Sequence, residues 1–154
     1  MVTPMSSSGP DTDTPRGSFW EAVHGRRPPP PATTTLGYDL HSADPVAGEV
    51  VASFEATADF TNTVGNVQGG FLAAMLDSTL GSALMCTLGP DEFAPTLELK
   101  VSFLRPAPVG RLWGRGRVLH RGSSIAFVEG ELTDDDRQVL ATASATAKIN
   151  HRRD

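Results

Sequence analysis

Apolar and polar residues alternate along several parts of the 154-residue chain, as they do in β-strands that bury one face. In residues 50–58, for example, Val50, Ala52 and Phe54 fall on the same side of the strand. The pattern predicts strands over residues 50–58, 96–103, 112–120, 124–133 and 139–149, with a shorter one over 36–40. Short Gly- and Asp-containing turns separate the last three strands, which favours antiparallel neighbours.

A long apolar run, residues 71–88, interrupts the alternation. Its 18 residues carry one charge, Asp77, and predict a helix that stops at Gly89 and Pro90. The run is shorter and more polar than a membrane span, which needs about 20 predominantly apolar residues. The order of elements predicts an α+β fold, with the helix against one face of an antiparallel sheet. Because the helix is apolar nearly all round, either the sheet curls around it or a second subunit covers it.

The first 35 residues form a Pro-rich arm ahead of a domain that we expect over residues 36–150. Residues 1–17 are rich in Ser, Thr and Pro and are expected to be disordered. Ser18 and Glu21 have the spacing of a capping box, which predicts a short helix near residues 18–25. The four consecutive prolines that follow predict a stiff polyproline spacer. We expect the short helix to pack on the domain through its apolar side chains, Phe19, Trp20 and Val23.

Net charge and cysteine content exclude several classes of protein. A formal net charge of −5 argues against a general nucleic-acid binder, which is usually basic. Cys86 is the single cysteine, which excludes an internal disulfide framework and a cysteine-rich zinc site. The four histidines lack the spacing of metal ligands, so we predict no metal and no cofactor. The free cysteine and the absence of an apolar leader predict a cytoplasmic protein without a membrane segment.

Candidate chemistry is concentrated at the start of the predicted helix. Gly69 and Gly70 open the helix, where free backbone N–H groups and the helix dipole favour negative charge such as a developing oxyanion. Asp77 lies among Leu, Met and Ala, and poor hydration would strengthen it as a base. Eight residues of helix separate Gly69 from Asp77 by about 12 Å. One helix therefore cannot present both groups to a single carbonyl, whereas two antiparallel copies in a dimer can.

The segment from Asn62 to Asp77 resembles the signature of hotdog-fold acyl-CoA thioesterases of the PaaI-like, phenylacetic-acid-pathway type. In that family an Asn, a spacer and a Gly precede His-Gly-Gly, and an Asp follows seven residues after the second Gly. The resemblance extends over residues 36–149 and includes Leu104-Arg105-Pro106-Ala107. It implies a curved antiparallel sheet wrapped around one long central helix, with dimers formed through the sheets.

The resemblance also implies roles for individual residues. Asp77 would be the general base or the nucleophile that acts on the thioester carbonyl, and the Gly69 N–H would be the oxyanion donor. Asn62 matches an active-site Asn, and Thr96 falls where a hydroxyl positions the attacking water. Gln68 departs from the pattern, because many members have His at this position. Glutamine can donate a hydrogen bond but cannot carry a proton, so an acid/base role there is lost.

A run without acidic residues lies between Glu98 and Glu129 and could face the phosphates of coenzyme A. Its basic members are Lys100, Arg105, Arg111, Arg115, Arg117 and Arg121. Among them we assign substrate binding to Arg105 and Arg121, together with Gly70 and Ser123. The alternative is a solvated outer sheet face, balanced by the acidic residues that follow.

The other candidates also have structural interpretations. Asp77 could be a buried aspartate bonded to Ser78 or Thr79, and the paired glycines could serve a loop with positive φ or close packing. Asn62 could be a turn residue or a helix cap, and Thr96 an outward residue of a strand.

The sequence thus predicts an acyl-CoA thioesterase that acts as a homodimer, with a homotetramer as a dimer of dimers, and that binds neither nucleic acid nor membrane. A non-catalytic acyl-CoA-binding or sensing protein is the alternative, and Gln68 supports it. A hotdog dehydratase or hydratase is disfavoured, because that chemistry usually pairs His with a carboxylate and the segment between His41 and His120 contains no histidine.

Overall fold

The structure is a computed structural model that describes residues 17–152, and its main feature is one six-stranded antiparallel sheet. The strands in chain order are β1 (Asp39–Asp44), β2 (Glu49–Ala56), β3 (Glu92–Phe93), β4 (Thr96–Phe103), β5 (Gly110–Arg121), β6 (Ile125–Thr133), β7 (Val139–Lys148) and β8 (Asn150–His151). The order across the main sheet is β1-β2-β5-β6-β7-β4, and β3 pairs with β8 separately. β1 and β4 are therefore the two edges of the sheet.

The helices are α1 (Ser18–Val23), α2 (Pro31–Thr35) and α3 (Gly69–Met85), with a short 3₁₀ turn at Ala58–Phe60. The long helix α3 packs against β2, β4, β5, β6 and β7, so the sheet curls around much of the helix, the first of the two covers that the sequence leaves open. The buried side chains of α3 are Leu72, Met75, Leu76, Thr79, Leu80, Ala83 and Leu84. The predicted α+β architecture, a sheet around one central helix, is confirmed.

Glycine and alanine on the inner sheet face allow α3 to lie close to the strands. The alanines of β7 at alternate positions from Ala141 to Ala147 are all buried. A Cβ at Gly114 would overlap the Thr79 hydroxyl of α3, and a Cβ at Gly130 would lie 2.8 Å from Leu80 Cδ2. Larger side chains at these glycine and alanine positions would therefore push α3 away from the sheet.

Gly130→Ala is expected to lower the free energy of unfolding by about 2 kcal/mol, since overpacking a full core typically costs 1–3 kcal/mol. The added methyl would overlap both Leu80 and the backbone carbonyl of Arg115, which cannot turn aside as a flexible side chain can. Urea denaturation measures the change. Gly122→Ala, at a turn where the nearest atom lies 3.2 Å from the added Cβ, is the matched control, and equal stability of the two variants would contradict the prediction.

Several local predictions are wrong in detail. The strand predicted over residues 36–40 begins at Asp39, because Leu36 closes the unpredicted helix α2, which starts at the last proline of the run. The capping box is not formed, since Gly17 holds the N-cap position of α1 without any side-chain hydrogen bond. Trp20 is buried and donates from Nε1 to the Cys86 carbonyl at 3.0 Å, but Val23 is exposed. The disorder predicted for residues 1–16 lies outside the described residues.

One face of α3 and one edge of the sheet lack a covering layer within residues 17–152. The less buried positions of α3 carry mostly small residues, among them Gly70, Ala73, Asp77 and Gly81. β4 pairs with β7 on one side, and the described residues supply no strand for its other side. Large apolar side chains at this edge are exposed, namely Leu97, Phe103 and Leu104. No helix in the described range is long and apolar enough to cross a membrane.

Candidate active site

The central feature of the site is a contact between α3 and the start of β4. Thr96 Oγ1 donates a hydrogen bond of 2.8 Å to Asp77 Oδ1. Asp77 is partly buried on the open face of α3. Thr79, a predicted structural partner of Asp77, instead donates to the Met75 carbonyl at 2.8 Å. Two residues to which the resemblance assigns catalytic roles are therefore in direct contact.

Thr96 reaches Asp77 because β4 contains an irregularity at its first residues. Thr96 aligns with the buried Ala147 of β7, but the register then shifts so that Glu98 aligns with Thr146. Leu97 is the extra residue and is 58% exposed. Strict alternation places Thr96 on the outer face with Glu98, and the bulge turns it toward the helix instead.

The first turn of α3 presents free hydrogen-bond donors. Within residues 17–152, the amides of Gly69 and Gly70 have no acceptor, whereas the Phe71 amide donates to the Gln68 carbonyl at 2.9 Å. A Cβ at Gly69 would lie 3.0 Å from Phe103 Cζ, and none of the atoms around Gly70 would meet a Cβ within 4 Å. A side chain at position 69 would therefore have to displace the ring of Phe103, while the Gly69 N–H stays available.

Phe103 is the site residue that sequence reasoning missed. Strict alternation along residues 96–103 would place Phe103 on the apolar face of the strand with Leu99 and Val101, yet it is 54% exposed and its ring tip lies against the backbone of Gly69. Its position directly before the matched Leu104-Arg105-Pro106 motif was the available signal.

Asn62 and Gln68 lie in and after the loop that precedes α3. Asn62 Oδ1 accepts hydrogen bonds from the amides of Val64 and Asn66, so the side chain builds the turn that the structural interpretation predicts. Its Nδ2 has no acceptor among the described residues. Gln68 is exposed and holds the N-cap position of α3 without a capping hydrogen bond from its side chain. Both amide groups can therefore donate to a ligand at the helix N-terminus.

A cleft of about 410 Å³ adjoins the N-terminus of α3. It is lined by Asn62, Asn66, Val67, Gly69, Leu72, Phe103, Leu104, Arg105, Pro106 and Ala107. Asp77 and Thr96 do not line it. Within one chain, the free Gly69 amide and Arg105 therefore lie in one place and the Asp77 carboxylate in another.

The two candidate phosphate-binding arginines occupy opposite ends of α3. Arg105, at the N-terminal end, donates to the Val139 carbonyl and remains exposed. Arg121 donates to the Thr87 carbonyl just beyond the C-terminal end and pairs with Glu92 at 2.6 Å. Ser123 lies exposed in the following turn. The structure therefore does not bring Arg105 and Arg121 of one chain together.

Arg121→Gln is expected to lower the free energy of unfolding by about 1 kcal/mol at neutral pH, the upper range for a partly exposed ion pair. The Gly89 amide and the Arg121 guanidinium lower the pKa of Glu92, so the pair stabilises the fold above the ordinary glutamate pKa. The deficit should vanish as the pH falls through that lowered pKa. Denaturation of wild type and variant at several pH values measures it, and a pH-independent deficit would contradict the ion-pair explanation.

Other reactive groups within residues 17–152 do not compete with this site. No group of three or more His, Cys, Asp or Glu in that range could hold a metal ion. Burial raises the pKa of the Cys86 thiol to about 11, which leaves it unreactive at neutral pH. A larger open cavity of about 710 Å³ lies on the outer sheet face, where Arg117 pairs with Glu129. Arg117 therefore fits the alternative given above, in which the basic residues lie on a solvated outer sheet face and are paired with acidic residues.

Comparison with known proteins agrees with the fold. The family profile described as the Thioesterase superfamily matches residues 64–141. A phenylacetic acid degradation-related protein from Ralstonia eutropha JMP134 is 41% identical, with a TM-score of 0.82 over 84% of this chain and 98% of that one. The PaaI protein of E. coli shares the fold at 23% identity and a TM-score of 0.75, over 88% of this chain and 94% of its own.

Among curated proteins, human acyl-coenzyme A thioesterase 13 is 30% identical over 98 residues, or 62% of this chain and 66% of that protein. The chain spans about two thirds of the length of the curated relatives it matches first. The chain belongs to the Thioesterase superfamily: it is a thioester hydrolase with the hotdog fold, of the PaaI-like type.

Proposed function

We propose that this protein hydrolyses the thioester of an acyl- or aryl-CoA to the free acid and coenzyme A. The observation that carries the proposal is the Thr96–Asp77 hydrogen bond on the open face of a helix whose first amides are free. The basic residue at the mouth of the neighbouring cleft, Arg105, suits a phosphate-bearing thiol ester. The name of human acyl-coenzyme A thioesterase 13 supports the same substrate class.

In the proposed reaction, Asp77 activates water or attacks the carbonyl carbon itself. As a base, Asp77 takes a proton from water while the water oxygen bonds to the carbonyl carbon, and the oxyanion then collapses to expel the CoA thiolate, which is protonated on release. As a nucleophile, it forms an anhydride and expels the thiolate, and water then cleaves the anhydride. The Thr96 hydroxyl orients the carboxylate in the first route and can also hold the water.

The oxyanion donor must come from a second copy, because Gly69 lies about 12 Å from Asp77 along α3. The exposed edge of β4 offers free backbone groups and apolar side chains, including Leu97 and Phe103, for antiparallel pairing with the same strand of another chain. Such a homodimer would place two α3 helices side by side. We propose the homodimer as the minimal active unit and the homotetramer as its assembled form.

The remaining predicted residues would bind the coenzyme A portion. Gly70 supplies an N–H donor at the helix N-terminus, and Arg105 supplies charge beside it. Asn62, which the resemblance assigns to the active site, lines the same cleft. Arg121 and Ser123 lie near the C-terminal end of α3, away from Arg105 of the same chain. Arg105 and Arg121 of one chain would therefore serve two different active sites of the dimer. A cytoplasmic location stays a prediction of the sequence.

A non-catalytic acyl-CoA-binding protein is the second candidate, and the observation that favours it is Gln68, an exposed amide at the helix start that cannot transfer a proton. Release of free thiol from short, long, branched and aryl acyl-CoAs distinguishes the two. We expect steady turnover on at least one substrate. Saturable acyl-CoA binding with no thiol release from the whole panel would favour the binding protein.

A further inference from the structure

Two rows of residues cross the outer face of the sheet, each with one residue from every strand. Antiparallel partners lie side by side, so the cross-strand pairing defines the rows. From β1 to β4, row one consists of Asp44, Glu49, Arg117, Glu129, Ser144 and Lys100. Row two consists of Ser42, Val51, Arg115, Glu131, Thr142 and Ser102. All these residues line the open cavity of about 710 Å³, so the rows and the cavity are one surface.

The charges of this surface are only partly matched within one chain. In row one, Arg117 pairs with Glu129. In row two, Arg115 and Glu131 are cross-strand neighbours in the same way, yet they form no ion pair. Within residues 17–152, Lys100 has no acidic partner either. The basic residues of the outer face can therefore pair with acidic groups outside the chain.

The order of charges in both rows is complementary to itself when it is reversed. The middle of the six-stranded sheet lies between β5 and β6. A two-fold axis that runs parallel to the strands at this point places each row against the same row of a second copy in reversed order. Arg115 then faces the partner's Glu131, and Arg117 faces the partner's Glu129. At the ends of row one, Asp44 faces the partner's Lys100, and no like charges meet in either row.

A two-fold axis across the strands gives the opposite result. It stacks β5 on the partner's β5 and β6 on the partner's β6, so arginines face arginines and glutamates face glutamates. Like charges placed across an interface strongly disfavour it. Stacked sheets lie about 10 Å apart, a distance that Arg and Glu side chains from both sides can span. The charge pattern therefore selects the axis parallel to the strands.

We propose that the outer sheet faces of two copies pack together around this axis, with Arg115 of each chain on the partner's Glu131. The axis lies three strands away from the β4 edge of the proposed homodimer, so the two symmetry axes do not meet and the assembly does not close. Two homodimers joined by one such contact make the proposed homotetramer, and its free outer faces add further dimers. Exposed ion pairs are individually weak and screened by salt, so the contact is reversible and salt-sensitive.

Sedimentation velocity of the full chain tests the proposal, and hydrolysis does not enter the measurement. We expect wild type at about 50 mM NaCl to grow past the tetramer as its concentration rises, and to associate at least about tenfold more weakly at about 500 mM. Arg115→Glu and Glu131→Arg each place like charges across the axis and should weaken association at low salt at least about tenfold. Arg27→Glu, the matched control, reverses the same charge in the exposed segment between α1 and α2 and should stay within about twofold of wild type.

A mixture of Arg115→Glu and Glu131→Arg proteins separates contacts between chains from contacts within one chain. Every outer-face contact between the two variants again joins opposite charges, whereas the like charges introduced within each chain remain. The mixture should therefore associate within about threefold of wild type. Should a charge reversal not fold, Arg115→Gln, which only removes the charge, must still weaken association at least about threefold.

Several outcomes overturn the proposal. Folded variants whose mixture does not recover would mean that the axis is wrong. Growth that stops at the tetramer, or association that is insensitive to salt and to both reversals, would mean that the dimers meet through another surface. Wild type that never exceeds the homodimer at low salt overturns it as well. A chain that is monomeric at high salt and pairs at low salt would contradict the proposed homodimer and leave the outer-face contact standing.

Discussion

Asp77→Ala and Asp77→Asn are expected to lower kcat for thiol release at least ~100-fold while the protein folds normally, because loss of a general base typically costs 10²–10⁴-fold. Asp77 is partly buried on the open face of α3, and its only hydrogen bond among the described residues comes from Thr96. Removing it therefore breaks no core contact. Steady-state thiol release, with circular dichroism to verify the fold, measures the effect.

The matched control for Asp77 is Asp136→Asn, which removes a carboxylate from an exposed turn between β6 and β7. We expect its kcat to stay within twofold of wild type. Thr96→Val separates positioning from chemistry, since it removes the hydroxyl that holds Asp77 and keeps the carboxylate; we expect an intermediate loss of about tenfold. Full activity of Asp77→Ala would remove Asp77 from the mechanism.

Gly69→Pro is expected to lower kcat by about 10²–10³-fold, the typical cost of removing one oxyanion donor. Proline lacks the N–H and is tolerated at the first position of a helix. Gln68 already has the extended backbone, φ −65° and ψ 139°, that a residue before proline requires. The nearest group to a Cβ added at position 69 is the tip of the exposed Phe103 side chain, which can move aside.

Mixing the two inactive variants tests whether one site uses both chains. In a heterodimer of Asp77→Ala and Gly69→Pro, one site carries both defects and the other carries none. Random exchange of subunits should therefore restore activity at about a quarter of all sites. Recovery above the sum of the separate variants supports a shared site. Absence of recovery, with exchange verified by mass spectrometry, would place both groups in one chain.

The strands and the long helix are predictable from the sequence because their signals are local. Alternation locates β2, β5, β6 and β7 to within a few residues, and the apolar run locates α3 to within a few residues at each end. The predicted start of β1 is wrong because the short helix α2 occupies the residues just before it and is capped by Leu36. Pro31 favours the first position of that helix, and the alternation of apolar and polar residues does not show this.

The candidate site is only partly predictable. The axial separation of Gly69 and Asp77 follows from the fixed rise of a helix, so the need for a second chain is already present in the spacing. The orientation of Thr96 cannot be predicted from the spacing of residues, because it depends on a bulge that reverses the side-chain alternation at the start of β4. The exposed ring of Phe103 against Gly69 likewise depends on where an edge strand meets the helix.

The sequence by itself determined the element order, the single charge of α3 and the glycine pair at its start, since each depends on residues close together in the chain. Tertiary structure alone decided that Thr96 contacts Asp77 and that Arg121 is held by Glu92 at the far end of α3. These two contacts join residues that are 19 and 29 positions apart in the chain. Local periodicity does not encode such relations, because they depend on how the sheet and helix pack.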